Sequence, residues 1–357
     1  MTQRRGVTLL EVLVSIFVMG IGMIALLTLF PLGALSMAQA IRDGRVNDAS
    51  AEAAALANTF GVRNDGTTSS YSVTGVFNAY LSAGWAASAP AADPVSSGYP
   101  VYVDPYYVAH GQTSLGSYGS APYSSTSGST PGIIRCSTSY VGSNGNSYTS
   151  GSVSLSALGP PTAPTSESPG PSNAGNWAAR FFTLKDDINF QSNGTAVGYS
   201  TGSPTTTLER GGGYTWAYLL RRPKATSGAE VELYVVVYAG RSVQLVSGET
   251  ACPVTSATTA GFASQGDNAV SMSIPSGTGP QLRRGAWLLD TSYEQTVAGP
   301  PAMGFIHGDF YRVVDVTNST SPYIVELDRP LKRSNVSVMV VMDNVVEVVY
   351  KGTGWQP

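Results

Sequence analysis

Charged residues are scarce in this chain of 357 amino acids. Asp, Glu, Lys and Arg make up 12% of it, against roughly 25% in ordinary globular domains. The net charge is −3, and basic residues occur only in small clusters such as Arg221-Arg222, Arg283-Arg284 and Lys332-Arg333. Binding of nucleic acid phosphates requires a concentrated basic surface. The sequence therefore gives no direct indication of a nucleic acid partner.

Cysteine and histidine are also rare. Cys136 and Cys252 are the two cysteines, and an exported chain could join them in a disulfide. The long loop so closed would stabilise the fold by about 4–5 kcal/mol in the chain-entropy model, but the sequence leaves open whether the two thiols meet. Neither cysteine has metal-ligand spacing to the other or to His110 and His307. The sequence therefore predicts no metal and no cofactor.

Signatures of catalysis are sparse as well. Residues 198–202 have the Gly-x-Ser-x-Gly spacing of a nucleophile elbow, but they lie in a turn-rich stretch, whereas that motif joins a strand to a helix. His307 is the best single candidate for a site, with a satisfied or exposed turn histidine as the simpler interpretation. Asp186-Asp187 could bind Ca²⁺ or form an exposed acidic turn. We therefore do not expect an enzyme.

The most informative segment is the N-terminus. Residues 1–6 form a polar leader with Arg4 and Arg5, and Val7 to Leu35 is then almost wholly apolar. From Val12 onward this run holds about 24 uncharged residues, and a membrane helix needs roughly 20. The arginines keep their end cytoplasmic by the positive-inside rule. We therefore expect a single pass of the inner (cytoplasmic) membrane, with the C-terminal domain outside the cytoplasm or at the pilus or cell surface.

Two ordinary segments share these features. A secretory signal peptide would fit Ala38-Gln39-Ala40 as its cleavage site, but its apolar region spans only about 7–15 residues. A plain signal anchor fits the length but leaves Glu11 unexplained. A carboxylate costs about 2.5–3.5 kcal/mol at the centre of a membrane and less near an end, so Glu11 should have a partner.

Residues 6–14 read Gly-Val-Thr-Leu-Leu-Glu-Val-Leu-Val. They resemble the prepilin cleavage and methylation motif of type IV pilin-like proteins, commonly Gly-Phe-Thr-Leu-Ile-Glu. The resemblance implies cleavage between Gly6 and Val7 by a membrane peptidase, which also methylates Val7, and a role for Glu11 in methylation and assembly. Val7 departs from the usual Phe. The implied partners are the prepilin peptidase/methyltransferase, other pilin or pseudopilin subunits, and the membrane.

The resemblance also explains the charge on Glu11. Cleavage after Gly6 would create a positive amine at Val7, and this amine can pair with Glu11 of a neighbouring subunit inside an apolar helix bundle. Such a pair relieves an otherwise costly buried charge and fixes the axial stagger of the helices. The dipole at the helix N-terminus would favour Glu11 as well.

The N-terminal residues also indicate a subgroup within the pilin-like family. Residues 10–14, followed by Gly20-Ile21-Gly22, are similar to minor pilins of the PilV group and to minor pseudopilin I of type II secretion. We therefore expect a minor structural subunit of a type IV pilus or a type II secretion pseudopilus. The alternative is a membrane-anchored surface adhesin or binding protein that does not assemble into a filament.

The rest of the chain predicts an α+β fold. Apolar spacings of three and four predict a long helix over 7–62, transmembrane at about 12–35 and kinked at Pro31. Residues 63–177 are rich in Ser, Gly, Tyr and Pro, which predicts a long irregular insertion and linker, or a binding surface built from tyrosines. Residues 178–357 predict an antiparallel β-sheet domain on which the helix packs, and Asp343-Asn344 predicts a hairpin between its last two strands.

Overall fold

The protein divides into two units, Met1–Asn47 and Asp48–Pro357. The computed structural model describes sixteen stretches of the chain, and the structural statements below concern these residues alone: 9–59, 62–63, 91–92, 100–104, 133–136, 139–141, 147–149, 182–184, 213–221, 230–241, 249–258, 260–274, 282–297, 303–317, 321–342 and 344–355.

The N-terminal helix, α1, is Leu9–Thr59, and Pro31 lies inside it. Leu, Met and Ala are strong helix formers and recur throughout the segment. Most of the exposed large apolar side chains lie between Leu9 and Ile41, and Leu9 and Phe30 are each 80% exposed. Counted over the described residues, which leave out the side chains at 25, 26, 28, 29 and 32, no helix is long and apolar enough to cross a membrane.

The described residues after α1 form sixteen strands. Their bounds are β1 Ala91–Ala92, β2 Val101–Val103, β3 Ile134–Cys136, β4 Ser139–Val141, β5 Ser147–Thr149, β6 Tyr214–Arg221, β7 Glu230–Ala239, β8 Glu249–Ser256, β9 Ala269–Met272, β10 Trp287–Asp290, β11 Tyr293–Val297, β12 Met303–Ile306, β13 Asp309–Val316, β14 Tyr323–Leu327, β15 Val338–Met342 and β16 Val345–Trp355.

Six of these strands close into an antiparallel barrel in the order β10-β13-β14-β9-β8-β15. Alternate residues of each strand point inward, so Leu288 and Tyr311 belong to the core that fills the barrel. Their neighbours Leu289 and Phe310 belong to a second core. Closure removes free strand edges from this part of the molecule.

A five-stranded sheet in the order β16-β7-β6-β2-β3 supplies the other side of the second core. Ala217 and Leu219 of β6 belong to that core, and alternation therefore places Trp216 and Tyr218 on the opposite face. There the Tyr218 hydroxyl donates a 2.7 Å hydrogen bond to the Ala53 carbonyl oxygen at the end of α1. This strand is therefore covered on both faces, and every residue after its first is buried.

The N-terminal helix and the antiparallel β-rich C-terminal part are confirmed, and the fold is α+β. Two expectations need correction. Strands β1–β5 lie within 63–177, and Val101 to Val103 of β2 are fully buried and pair with β6, so the main sheet crosses the expected boundary at 178. The predicted β15–β16 hairpin is wrong, because β15 pairs with β8 and β10, whereas β16 pairs with β7.

Candidate functional site

Glu11 lies in the first turn of α1, and its side chain is exposed. One turn later, the Ser15 hydroxyl donates a 2.7 Å hydrogen bond to the Glu11 carbonyl oxygen. The neighbouring side chains Leu10, Leu13 and Val14 are apolar and 53–72% exposed. A carboxylate in the first turn is favoured by the helix dipole. Between Leu9 and Leu35 the arrangement presents one negative charge on an otherwise uncharged helix surface.

The predicted roles of the other residues of the N-terminal site are not tested by the structure. Gly6 and Val7 lie outside the described residues, so cleavage and methylation at this bond stay predictions. Pro31 is placed inside α1, and its effect on the helix axis also stays a prediction. His110, residues 198–202 and Asp186-Asp187 lie outside the described residues as well.

The disulfide between Cys136 and Cys252, which the sequence left open, is not formed. Cys252 is a free thiol in β8, and it is buried in the barrel core. Burial raises the pKa of this thiol to about 12. Cys136 lies in β3, at the far edge of the five-stranded sheet, whereas Cys252 lies in the barrel, so the two residues belong to different sheets.

His307 is fully buried, so the interpretation as an exposed turn histidine is wrong and that of a satisfied histidine is confirmed. It directly follows β12. Its Nδ1 lies 2.7 Å from Oδ2 of Asp290, at the end of β10, and its Nε2 lies 3.3 Å from Oε2 of Glu294, in β11. The second oxygen of Asp290 accepts a 3.0 Å hydrogen bond from the Ser292 backbone N–H. Both ring nitrogens therefore face carboxylates from neighbouring strands.

A second buried carboxylate, Asp309, begins β13 two residues after His307. Arg221 of β6 donates to it at 2.8 Å, Lys332 at 3.1 Å and Arg333 at 3.3 Å. Burial alone would raise the pKa of Asp309, but the charges of these three cations and the hydrogen bond from Arg221 lower it to about 2. Arg221 also donates to Glu232 of β7 at 2.7 Å. This group of charges joins the five-stranded sheet to the barrel.

A second buried arginine, Arg241, also joins the five-stranded sheet to the barrel. The Arg241 guanidinium, two residues after β7, donates at 2.9 Å to Oδ1 of Asp104, which follows β2. It also lies 3.6 Å from a carboxylate oxygen of Glu249, at the start of β8, and 4.0 Å from the centre of the Tyr238 ring. Asp104 is fully buried. Within the described residues no group of three His, Cys, Asp or Glu side chains is arranged to hold a metal ion.

Sequence reasoning found His307 but missed the acidic residues around it. The signal was the position of Asp290 and Asp309, each at the end of a strand and directly beside apolar residues, in Trp-Leu-Leu-Asp and Asp-Phe-Tyr. A charge at the end of a buried strand needs a partner. That pattern could have placed these carboxylates near a cation, but not near a particular one.

The comparisons with known proteins concern the N-terminus. Residues 1–27 match the family model described as the prokaryotic N-terminal methylation motif. This stretch contains Gly6, Val7 and Glu11, and the match confirms the resemblance to type IV pilin-like precursors. No curated protein and no solved structure matches the chain.

Proposed function

We propose that the protein is a minor pilin-like or pseudopilin-like structural subunit of a type IV pilus or a type II secretion pseudopilus. In this proposal prepilin peptidase cuts the chain after Gly6, and the subunit assembles through its N-terminal helix. The observation that carries the proposal is the methylation motif over residues 1–27, within which begins a helix, from Leu9, whose apolar side chains are exposed.

Before assembly, the subunit is a single-pass protein of the cytoplasmic membrane, with its C-terminal domain outside the cytoplasm. The support comes from the sequence, in which the uncharged run from Val12 to Leu35 follows two arginines. Exposed Leu, Ile, Phe and Met side chains on this scale need an apolar environment, either lipid or neighbouring helices. Transfer from the membrane into a filament exchanges one such environment for the other.

Glu11 selects the register of assembly in this proposal. It stands in the first turn of α1 among exposed apolar side chains. A buried carboxylate that lacks a partner is strongly unfavourable, so packing of this surface selects the stagger that brings a neighbour's Val7 amine to Glu11. The protein is then the substrate of a processing enzyme and has no enzyme activity of its own.

Mass spectrometry of the mature N-terminus, on protein purified from its native host, tests the proposal. We expect a chain that begins at Val7 and carries one added methyl group on its amine. A chain that still begins at Met1 would instead identify a plain signal anchor and favour the unassembled adhesin. A chain that begins at Ile41 would identify a secretory signal peptide and exclude assembly through α1.

A further inference from the structure

Strand β16 forms one edge of the five-stranded sheet, and among the described strands it pairs with β7 alone. Its first six residues are Val-Val-Glu-Val-Val-Tyr, of which five favour strands and one is charged. An edge strand presents a row of backbone N–H and C=O groups to which another strand can bind. Short segments of this composition also pair readily with copies of themselves. A second copy of the chain could therefore add its own strand at β16.

Two β-bulges interrupt this edge strand. The first is at Val346 and the second at Lys351 and Gly352, where the pairing register with β7 shifts. Gly352 has φ +77°, a conformation that other residues adopt only with strain. A bulge bends its strand and increases the local twist, which turns the edge away from a flat partner. Between the two bulges, only the four residues 347–350 keep a regular register.

A side chain from outside the five-stranded sheet binds the backbone at each bulge. Nε1 of Trp287, in the barrel strand β10, donates a 3.3 Å hydrogen bond to the Val346 carbonyl oxygen. Nη2 of Arg63, which follows α1, donates a 3.1 Å hydrogen bond to the Lys351 carbonyl oxygen. Each donor occupies the space beside its carbonyl oxygen, where an added strand would have to place its own N–H. Covering an edge in this way is one means by which proteins prevent strands from adding to a sheet.

Both donors are held in place by their surroundings. Val62, next to Arg63, is 2% exposed, and its N–H donates a 2.9 Å hydrogen bond to the carbonyl oxygen of the buried Ala57 in the last part of α1. Trp287 is 6% exposed, and its ring packs edge to face on Phe310, with centres 6.4 Å apart. The end of the helix and the core between sheet and barrel therefore position the two donors at β16.

We infer that Arg63 and Trp287 guard the edge of β16 against pairing with the same strand of a second copy. They bind the carbonyl groups of the two bulges and leave only a short regular segment between them. Loss of either donor frees its carbonyl for an incoming N–H and lets the bulge relax toward a regular ladder. The inference concerns residues outside the methylation motif, so it does not depend on the proposed assembly through α1.

Self-association of the full-length protein in detergent tests the guard, because detergent covers the apolar surface of α1. Arg63→Met keeps a long apolar side chain but removes the donor. We expect it to raise the fraction that sediments as oligomers by about tenfold, the effect of one hydrogen bond to a charged group. Hydrogen exchange of these oligomers should show added protection in peptides from β16. Unchanged association, or added protection confined to α1, would overturn the guard.

Paired variants separate the strand edge from a general loss of solubility. Arg284→Met removes an arginine whose side chain is 74% exposed, and it should associate as the wild type does. Tyr350 and Phe262 are 50% and 60% exposed, the first in β16 and the second after β8. Added to Arg63→Met, Tyr350→Lys should suppress association, since a lysine on an edge strand opposes pairing. Phe262→Lys should not, and equal suppression by both would contradict the guard.

A variant of the other donor covers the case in which Arg63→Met does not fold. Trp287→Phe removes Nε1 and keeps an aromatic ring in the core, and it should also associate through β16. Ala53→Leu serves as a destabilised control, because Ala53 lies in α1 and its side chain is buried. Association that follows the melting temperature in all variants, Ala53→Leu included, would show that partial unfolding and not loss of a donor exposes the edge, and would overturn the inference.

Discussion

Glu11 is the single residue on which the proposed assembly depends most. It is the acidic residue in the first turn of α1, and it is exposed among apolar neighbours. If a neighbour's amine is its partner, Glu11→Ala should leave the protein in the membrane but lower its content in sheared filaments by at least about tenfold, the effect of roughly 1.4 kcal/mol. Immunoblots of membrane and filament fractions measure both quantities.

Asp43→Ala is the matched control, because Asp43 is an exposed carboxylate of the same helix. It should assemble as the wild type does. Filaments that incorporate Glu11→Ala normally would show that the carboxylate has no role in register and would favour the unassembled adhesin.

At the scale of elements, the end of α1 depends on small side chains. Ala49, Ala53 and Ala57 recur every four residues and are at most 1% exposed, and the Ala53 carbonyl accepts a hydrogen bond from Tyr218. Side chains four apart share one face of a helix, so this face can approach the sheet closely. Ala53→Leu would force apart packed atoms, and we expect it to lower the free energy of unfolding by about 1–3 kcal/mol.

Thermal unfolding of the full-length protein, followed by circular dichroism in detergent, measures this loss. Ala51→Leu adds the same side chain at an exposed position of the helix and should have little effect. Equal melting temperatures for the two variants would show that the alanine face does not limit the approach of helix and sheet.

At the scale of the whole β-rich unit, buried charges join the five-stranded sheet to the barrel. Asp309 is 2% exposed and binds Arg221 of the sheet. Its pKa is lowered from 3.8 to about 2 in the folded chain. A lowered pKa stabilises the fold above the unfolded value, and this contribution is lost as the pH falls from about 4 to about 2. We expect Asp309→Asn to lower the free energy of unfolding by about 2–3 kcal/mol at pH 7.

Urea unfolding followed by tryptophan fluorescence measures the difference, which should shrink below about pH 3. The control is Asp315→Asn, since Asp315 pairs with Arg284, whose side chain is 74% exposed, and an ion pair open to solvent contributes little. A difference between Asp309→Asn and the wild type that stays constant down to about pH 2 would contradict the pKa assignment.

Local patterns predicted the elements better than their arrangement. Asn344 does take a positive φ of 61°, as a turn requires, but turn chemistry does not choose the partner of a strand. Val101 to Val103 lie in a stretch rich in turn-forming residues, so the local sequence did not predict a buried strand there. Their burial depends on pairing with β6, more than a hundred residues away. The barrel was not predicted, because closure depends on how distant strands pair.

The sequence by itself determined the N-terminal motif and the charge at Glu11, because such a motif consists of contiguous residues in a fixed order. It also determined the apolar helix and the β-rich character of the remainder, which follow from local periodicity. The tertiary structure alone decided that Asp290, Glu294 and His307 meet, and that Cys252 stays a free thiol in the barrel core. Those contacts join separate strands, and the pairing of strands sets their distances, so a local pattern can show that a buried charge needs a partner but not which residue that partner is.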